Sequence, residues 1–319
     1  MDIKEKHIEQ LEYPLKMTSR KKKKKKRSGQ LEYHLMLAPG MIFLIIFSFV
    51  PMFGIIMAFE DYVPAKGILG SEWVGLENFK YMLEIPDSMK ILRNTVVIAV
   101  GKIIAGTLVP IIFALLLNEI RLKWAKKSIQ TIVYLPNFLS WAVLAAVFIN
   151  IFDYHGPVNN FLHGLGIDPI LFLGSNEWFR EIIVATDVWK GFGYGAIVYL
   201  AALTGIDPGL YEASSIDGAN RFKQLLHVTL PGILPTIMLI SALNLGNILN
   251  AGFDQIFALY NPIVYETGDV IDTYVYRVGL LGQQYSFATA IGLLKSVVSC
   301  ILIVSANELS KKLANMRIF

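Results

Sequence analysis

Six long apolar stretches dominate the pattern of hydrophobic and polar residues along this chain. They cover residues 35–59, 94–118, 132–152, 181–204, 231–253 and 286–309. A helix that crosses a hydrocarbon core of about 30 Å needs about 20 apolar residues, so each stretch has the length of a span. Prolines inside the stretches, such as Pro39, Pro51, Pro110 and Pro235, are compatible with this, because neighbouring helices in a membrane bundle satisfy the freed carbonyls. The pattern therefore predicts an all-α polytopic membrane protein with six transmembrane helices.

Composition points the same way and excludes several other classes of protein. Hydrophobic residues make up 54% of the chain and charged residues only 17%, whereas soluble domains carry about 25% charged residues. The single Cys300 excludes an internal disulfide framework and a Cys-based metal cluster. The five histidines show no metal-ligand spacing, so we predict no metal site. The first apolar stretch is too long and too far from residue 1 to be a cleaved signal peptide.

Basic residues are concentrated in the N-terminal tail, residues 1–34. This tail holds 11 of the 29 Lys and Arg residues, including six consecutive lysines at 21–26, and the remainder carries 18 basic and 20 acidic residues. Because a nucleic-acid-binding domain needs basic residues on a folded face, we exclude nucleic acid as a partner of the body. We interpret the lysine run as a topological signal that also contacts membrane lipid, and a regulatory role of the run stays open.

Lysine and arginine counts in the connecting segments predict the orientation. The segment after the second stretch carries Arg121, Lys123, Lys126 and Lys127, whereas 153–180 has one arginine and so does 254–285. The positive-inside rule therefore places both termini in the cytoplasm, together with the segment 205–230. The predicted organisation is a basic cytoplasmic tail, a first helix with an external loop, a five-helix core and a short cytoplasmic tail, at 1–34, 35–93, 94–309 and 310–319.

The cytoplasmic segment 205–230 reads as two short helices rather than a loose connector. Asp207 followed by Pro208 is typical of a helix start, with a capping carboxylate and a proline at the first helical position. Asp217 is expected to cap the second helix. Gly218 permits a sharp turn or the close approach of another backbone. A capped helix pair at the membrane surface suits docking into a groove on another protein.

The same segment resembles the EAA loop of type I permeases from ABC importers. The matching residues are Glu212, Ala213 and Ser214, then Asp217, Gly218 and Ala219, followed by Leu230-Pro231. Ser214 stands where the family has Ala, and Val228 where it usually has Ile. The resemblance extends across the second to sixth stretches. It is closest to the oligosaccharide/polysaccharide subgroup of the carbohydrate-uptake family, which includes permeases for alginate and pectin-derived oligosaccharides, through the stretches 189–194, 253–257 and 272–277.

The resemblance implies a subunit that is not itself an enzyme. Such a permease, in the bacterial cell membrane, forms half of a pathway for oligosaccharides together with a second homologous permease. Two ATPase subunits dock at the EAA loop, and an extracellular solute-binding protein delivers the sugar. The chain has no Gly-x-x-x-x-Gly-Lys-Ser/Thr phosphate loop. We therefore expect no cofactor in this chain and place ATP and Mg on the partner ATPase.

Polar residues inside the apolar stretches mark the candidate pathway, since they are costly in hydrocarbon. The fifth stretch has a hydroxyl and amides at intervals of three, at Ser241, Asn244, Asn247 and Asn250, which predicts one polar helix face. Amides donate and accept hydrogen bonds, as sugar hydroxyls require, although bonds between helices are an equal alternative for any single Asn. The resemblance implies a sugar contact for Tyr194, and Trp189 is either a stacking platform or an interface residue. The candidate pathway residues are Trp189, Lys190, Gly191, Tyr194, Ser241, Asn244 and Asn247.

A stand-alone secondary transporter or channel is the alternative function. It would need its own coupling-ion site, usually buried acids, and Asp187 is the only candidate in the predicted spans one to five. Lys190 either contacts the carboxylate of an acidic sugar or pairs with Asp187. Lys102 is expected to reach towards the membrane surface, whereas Lys295 lies too deep in its span for an easy reach. The pattern leaves the identity and charge of the sugar open.

Overall fold

The computed structural model of the protein describes residues 30–245 and 248–314. The lysine run, most of the predicted tail 1–34, the end of the predicted tail 310–319 and the candidate pathway residue Asn247 lie outside the described residues. The chain divides into two units, residues 1–52 and 53–319.

The described part of the first unit is helical and apolar. It contains α1 (Gln30–Leu44), a π-helical turn (Ile45–Phe49) and α2 (Val50–Met52). Its apolar side chains are exposed along the whole length, as Met36 and Phe43 illustrate. A helix with such a surface requires lipid or another helix around it, because apolar side chains in water are unfavourable.

The second unit holds the other helices and one hairpin of two-residue strands. The hairpin pairs β1 (Glu60–Asp61) with β2 (Glu72–Trp73) in antiparallel register, Glu60 opposite Trp73. The α-helices are α3 (Glu77–Glu84), α4 (Pro86–Glu119), α5 (Lys123–Tyr134), α6 (Trp141–Ile151), α7 (Pro157–Gly164), α8 (Phe179–Thr204), α9 (Pro208–Ile216), α10 (Arg221–Gln224), α11 (Leu230–Leu245), α12 (Phe253–Leu259), α13 (Tyr265–Gly268), α14 (Ile271–Val275) and α15 (Tyr285–Ala314). Shorter 3₁₀ segments are Phe53–Phe59, Ile68–Gly70, Leu135–Phe138, Phe172–Gly174 and Pro262–Val264, and further π-helical segments are Leu225–Thr229 and Tyr276–Leu281.

Within residues 30–245 and 248–314, four helices are long and apolar enough to cross a membrane. They are Glu32–Phe59, Asp87–Glu119, Arg221–Asn244 and Tyr285–Ser305. The helix α8 has the length of a span, but Arg180, Glu181, Asp187 and Lys190 dilute its apolar character. The mostly helical membrane fold is confirmed. The count of six spans stays a prediction. The four helices, α8 and the bent pair Lys123–Phe138 and Trp141–Ile151 are compatible with it.

The predicted third span, 132–152, is not one continuous helix. Its residues belong to two helices that meet at 103° between Phe138 and Trp141. Pro136 lies in the 3₁₀ turn at the junction, and proline cannot donate the backbone hydrogen bond that a continuing helix needs. Ser140 then begins α6, and its Oγ accepts from the backbone N–H of Val143 at 3.4 Å. The apolar pattern shows the length of this stretch but not the break inside it.

The helices α4 and α8 pack along each other and form the centre of the second unit. Gly101 permits this approach, because a Cβ there would lie 3.0 Å from the side chain of Val184. One buried cluster, which we call the outer core cluster, includes Ile98, Leu144, Phe148, Phe179, Ile183, Ile256 and Leu259. A second cluster includes Ile111, Leu117, Tyr199, Leu203 and Ile233. The polar residues of the candidate pathway lie on the helices between and beside these two clusters.

Candidate functional site

The predicted coupling segment, residues 205–230, folds as two helices joined by a tight turn. Asp207 caps α9 as predicted, and its Oδ1 accepts from the backbone N–H of Gly209 at 2.9 Å. Pro208 occupies the first turn, where its missing N–H costs nothing. The helix therefore starts at a position fixed by two consecutive residues.

Gly218 ends this first helix in a left-handed conformation, with φ of 77°. Its N–H donates to the carbonyl of Ser215 at 3.1 Å, and the N–H of Ala219 donates to the carbonyl of Ser214 at 2.9 Å. These two bonds define a Schellman motif, in which glycine is the favoured residue. A Cβ at Gly218 would meet no atom within 4 Å. The glycine is therefore required for its backbone angle and not for a close approach within this chain.

The prediction that Asp217 caps the second helix is wrong. Asp217 lies at the end of α9, and its backbone N–H donates to the carbonyl of Ala213 at 3.1 Å. Asn220 caps α10 instead, because its Oδ1 accepts from the backbone N–H of Lys223 at 2.9 Å. The Schellman turn occupies two further residues, which shifts the start of α10 beyond the position expected from sequence.

Gln224 braces the two helices against each other. Its Nε2 donates to Ser215 Oγ at 2.8 Å, to Ser214 Oγ at 3.2 Å and to the carbonyl of Tyr211 at 3.3 Å. The Tyr211 hydroxyl also lies 3.0 Å from Thr229 Oγ1. Ser214, where the family has Ala, thus takes part in this hydrogen-bonded brace. The segment is held in one shape by contacts within the loop itself.

The outward face of the segment is uncovered. Glu212 and Ala213 are exposed on α9. Ile216 is 87% exposed and Phe222 is 66% exposed. Large apolar side chains exposed in a group mark interaction surfaces. Four of the six predicted coupling residues, namely Glu212, Ala213, Asp217 and Gly218, are exposed here, whereas Ser214 and Ala219 are half-buried.

A polar cavity of about 490 Å³ lies between α4, α8 and the end of α11. The lining residues include Lys102, Asp187, Gly191, Asn244, Asn250 and Gly252. Two predicted pathway residues, Gly191 and Asn244, therefore lie on one cavity. Among the described residues, Asn244 has no hydrogen-bond partner within the chain, so its amide is available to a ligand.

A partly buried ion pair lies in the wall of this cavity. Lys102 Nζ lies 3.2 Å from Asp187 Oδ1 and donates to the carbonyl of Ala251 at 2.7 Å and to Gln255 Oε1. Gln255 Nε2 donates at 2.8 Å to Thr186 Oγ1 and at 2.8 Å to the carbonyl of Ile183. We call these groups the Lys102 network. It joins α4, α8 and the start of α12.

The network corrects three alternatives left open by the sequence. Asp187 pairs with Lys102 rather than with Lys190. Lys190 instead places its Nζ 5.0 Å from the ring centre of Trp141, a cation–π contact. Lys102 and Lys295 do not extend to the membrane surface, because Lys102 is held in the network and Lys295 pairs with Asp272.

Gln255, which is fully buried, is a network member that the sequence does not predict. In the sequence, the signal that could have indicated the network was a lysine, Lys102, and an acid, Asp187, inside two different predicted spans.

The remaining pathway candidates within the described residues do not line the polar cavity. Trp189 is 47% exposed and packs edge-on against Phe148, and it lines a different cavity, of about 760 Å³. Tyr194 is 52% exposed, with its ring 6.5 Å from that of Phe138. Ser241 is half-buried on α11.

The polar row predicted along the fifth span does not lie on one helix in the described residues. Ser241 and Asn244 share α11, whereas Asn250 lies outside a helix. Asn250 lines the cavity all the same, together with Lys102. Among the described residues, no cluster of three or more His, Cys, Asp or Glu side chains is placed to hold a metal ion.

The chain matches a family of known transport proteins. The model of the family "Binding-protein-dependent transport system inner membrane component" matches residues 109–314, and the chain belongs to this family. YteP of Bacillus subtilis (strain 168), a polygalacturonan/rhamnogalacturonan transport system permease protein, is 40% identical over 305 residues, covering 94% of this chain and 95% of that protein. LplB of the same organism is 41% identical over 280 residues, covering 88% of each chain.

Solved structures show the same fold. One is a bacterial ABC transporter that imports the acidic polysaccharide alginate, with a TM-score of 0.82, 39% identity, and coverage of 90% of this chain and 96% of that chain. A second is an alginate ABC transporter in complex with a pentasaccharide-bound periplasmic protein, with a TM-score of 0.83, 38% identity, and coverage of 91% and 97%. The expected type I fold and carbohydrate-uptake family are confirmed. The chain is thus a multi-pass membrane permease subunit of a binding-protein-dependent ABC importer.

Proposed function

We propose that this permease imports oligosaccharides released from an acidic polysaccharide, as one half of a pathway completed by a second homologous permease. The cargo assignment is supported by the relatives, since YteP is named for polygalacturonan and rhamnogalacturonan and the solved transporters for alginate. A solute-binding protein outside the cell delivers the sugar. ATP and Mg bind to two separate ATPase subunits, and this chain carries no cofactor.

The polar cavity is the observation that carries the proposal. It offers an amide at Asn244, a second amide at Asn250, a carboxylate at Asp187 and the open backbone of Gly191. Sugar hydroxyls are both donors and acceptors, and amides match both roles. Asn247 and Ser241 are proposed to extend this polar surface. Trp189, Lys190 and Tyr194 are proposed to contact the sugar elsewhere along the pathway.

The coupling segment supplies the link to ATP hydrolysis. We place the ATPase against the face that carries Glu212, Ala213 and Ile216, because this face is exposed and apolar in part. Ser214, Asp217, Gly218 and Ala219 keep the segment in the docked shape through the Schellman turn and the Gln224 brace. A rigid segment transmits movement of the ATPase to the helices on either side of it.

Orientation follows from this arrangement. The ATPase lies in the cytoplasm, so the segment 205–230 and both termini are placed there, in agreement with the basic residues of the connecting segments. A secondary transporter is not favoured, because Asp187, its candidate coupling acid, is neutralised by Lys102.

The test is transport by the intact importer. The complex is purified from its own membranes through a tag on this chain and reconstituted in liposomes with the solute-binding protein. Uptake of an α-1,4-linked galacturonate hexasaccharide is then compared with that of a neutral galactose hexasaccharide. We expect uptake of the acidic sugar only with ATP and Mg on the cytoplasmic side. Uptake driven by an ion gradient without ATP, or purification without an ATPase, would overturn the proposal.

A further inference from the structure

Four aromatic side chains form a row of ring contacts along α12. Phe253 and Phe257 share one face of the helix at a spacing of four residues. Tyr260 directly follows the helix, and Tyr276 comes from the π-helical segment Tyr276–Leu281. The ring centres of Phe253 and Phe257 are 5.2 Å apart, and those of Phe257 and Tyr260 are 5.9 Å apart. Tyr276 joins them at 5.5 Å from Phe253 and 5.0 Å from Phe257. We call these four residues the aromatic row.

Of the four rings, Tyr260 packs against the outer core cluster, whereas Phe253, Phe257 and Tyr276 are neither members of that cluster nor packed against it. The opposite face of α12 supplies core residues, with Ile256 and Leu259 buried in the outer core cluster. Phe257 is 41% exposed, and the other three rings of the row are half-buried. Since aliphatic residues anchor the helix, its folding does not require aromatic rings on the outward face. The 253–257 and 272–277 stretches that supply the row's Phe253, Phe257 and Tyr276 have no other role in the proposed function.

The row begins one residue beyond the lining of the polar cavity. Gly252 lines that cavity together with Asn244, and Phe253 is the next residue along the chain. The other three members of the row, Phe257, Tyr260 and Tyr276, lie in the segment 254–285, which is predicted to be external.

The chemistry of the row matches carbohydrate. A sugar ring has a face of C–H groups and a rim of hydroxyls, and the electron-rich face of an aromatic ring attracts the positive C–H edge. Burial, together with the neighbouring Tyr265, raises the pKa of Tyr260 to about 12. Next to it, Tyr265 lies 5.1 Å away between ring centres and is held by Arg277, which stacks at 4.1 Å and pairs with Asp269 at 2.5 Å.

We propose that the aromatic row is a carbohydrate-binding subsite at the external entrance of the pathway, which holds the sugar units of a long oligosaccharide that extend beyond the cavity. This inference rests on the proposed function. A membrane-interface belt is the competing assignment. Such belts are enriched in Trp and Tyr, whereas two of the four rings here are Phe.

The experiment measures transport as a function of oligosaccharide length. Phe257→Leu and the wild-type chain are compared in the reconstituted complex, with galacturonate dimer and hexamer as substrates at the same saturating solute-binding protein. We expect the KM of the hexamer to rise about three- to tenfold more than that of the dimer, the size of one aromatic contact. Phe257→Tyr keeps the ring and is expected to behave as wild type. Phe161→Leu is the control, because Phe161 is an exposed phenylalanine on α7, outside the row.

The results of these variants distinguish a sugar-binding subsite from a packing or membrane-interface role of the aromatic row. A loss by Phe257→Leu that is equal for dimer and hexamer, or no loss for either, would overturn the subsite and favour a packing or membrane-interface role. The same length-dependent loss in Phe161→Leu would overturn it as well. Failure of the wild-type complex to transport any galacturonate would instead contradict the proposed function, independently of the row.

Discussion

The coupling segment and the polar cavity show two ways in which one chain builds a functional region. In the coupling segment, the brace from Gln224 to Ser214 joins residues only 10 positions apart. In the Lys102 network, the bonds from Lys102 to Asp187 and Gln255 span 85 and 153 positions. The first region is therefore specified by local spacing and the second by the packing of three helices. A substitution in the segment should affect communication with the ATPase, whereas one in the network should affect the bundle itself.

Breaking the Lys102 network is expected to have the largest effect on stability. Lys102→Met leaves the Asp187 carboxylate unpaired inside the bundle. We expect a loss of about 3 kcal/mol, the lower end of the range for a broken buried pair, because the Asp187 side chain is 36% exposed. Thermal unfolding of the purified complex measures it.

The chain offers a matched control and a rescue for this change. Lys90 pairs with Asp87 at 3.3 Å, but both side chains are more than half exposed, so Lys90→Met should leave the melting temperature unchanged. The double variant Lys102→Met with Asp187→Leu should recover part of the loss, since no unpaired charge remains. Equal loss in the Lys102 and Lys90 variants would show that burial of the pair does not matter.

Changing Gly218 should disturb the segment and spare the bundle. A leucine at φ of 77° is strained by about 1–2 kcal/mol. Gly218→Leu should therefore weaken retention of the ATPase and ATP-driven uptake, with normal insertion in the membrane. Asparagine tolerates this backbone angle, so Gly218→Asn should keep both activities. If the two variants behave alike, side-chain bulk or the docking surface, and not backbone geometry, sets the effect.

Removing the brace is expected to have a smaller effect of the same kind. Gln224→Ala eliminates the side-chain bonds between α10 and α9, at a net cost of about 1 kcal/mol. We expect uptake per ATP hydrolysed to fall while the complex still assembles. Lys223→Ala, an exposed neighbour on the same helix, serves as control. An unchanged ratio of transport to hydrolysis in Gln224→Ala would mean that the brace does not transmit movement.

The smallest expected effect concerns Lys190 and the charge of the cargo. Its ammonium is already stabilised over Trp141, so exchange of that contact for a sugar carboxylate gains about 0.5–1 kcal/mol. Lys190→Gln should therefore raise the KM of an acidic hexasaccharide about threefold and leave a neutral one unaffected. Equal changes for both sugars would remove Lys190 from the site.

The sequence predicts the local features of both regions better than the long-range ones. The start of α9 at Asp207 and the turn at Gly218 follow from residues that act within one helical turn. The cap of the second helix was misplaced at Asp217, because the Schellman turn needs two residues before Asn220. The break at Ser140 and the pairing of Lys102 with Asp187 depend on how separate helices meet, which apolar length and residue spacing do not encode.

The most direct test compares two variants of the intact complex side by side, Glu212→Lys in the coupling segment and Asn244→Ala in the cavity. The amount of ATPase that co-purifies with the tagged chain is measured together with the KM for galacturonate hexasaccharide. We expect Glu212→Lys to lose the ATPase, because a charge reversal faces the docking partner. We expect Asn244→Ala to retain the ATPase and to raise the KM. ATPase loss in Asn244→Ala, or normal assembly and uptake in Glu212→Lys, would contradict the division of labour between the two regions.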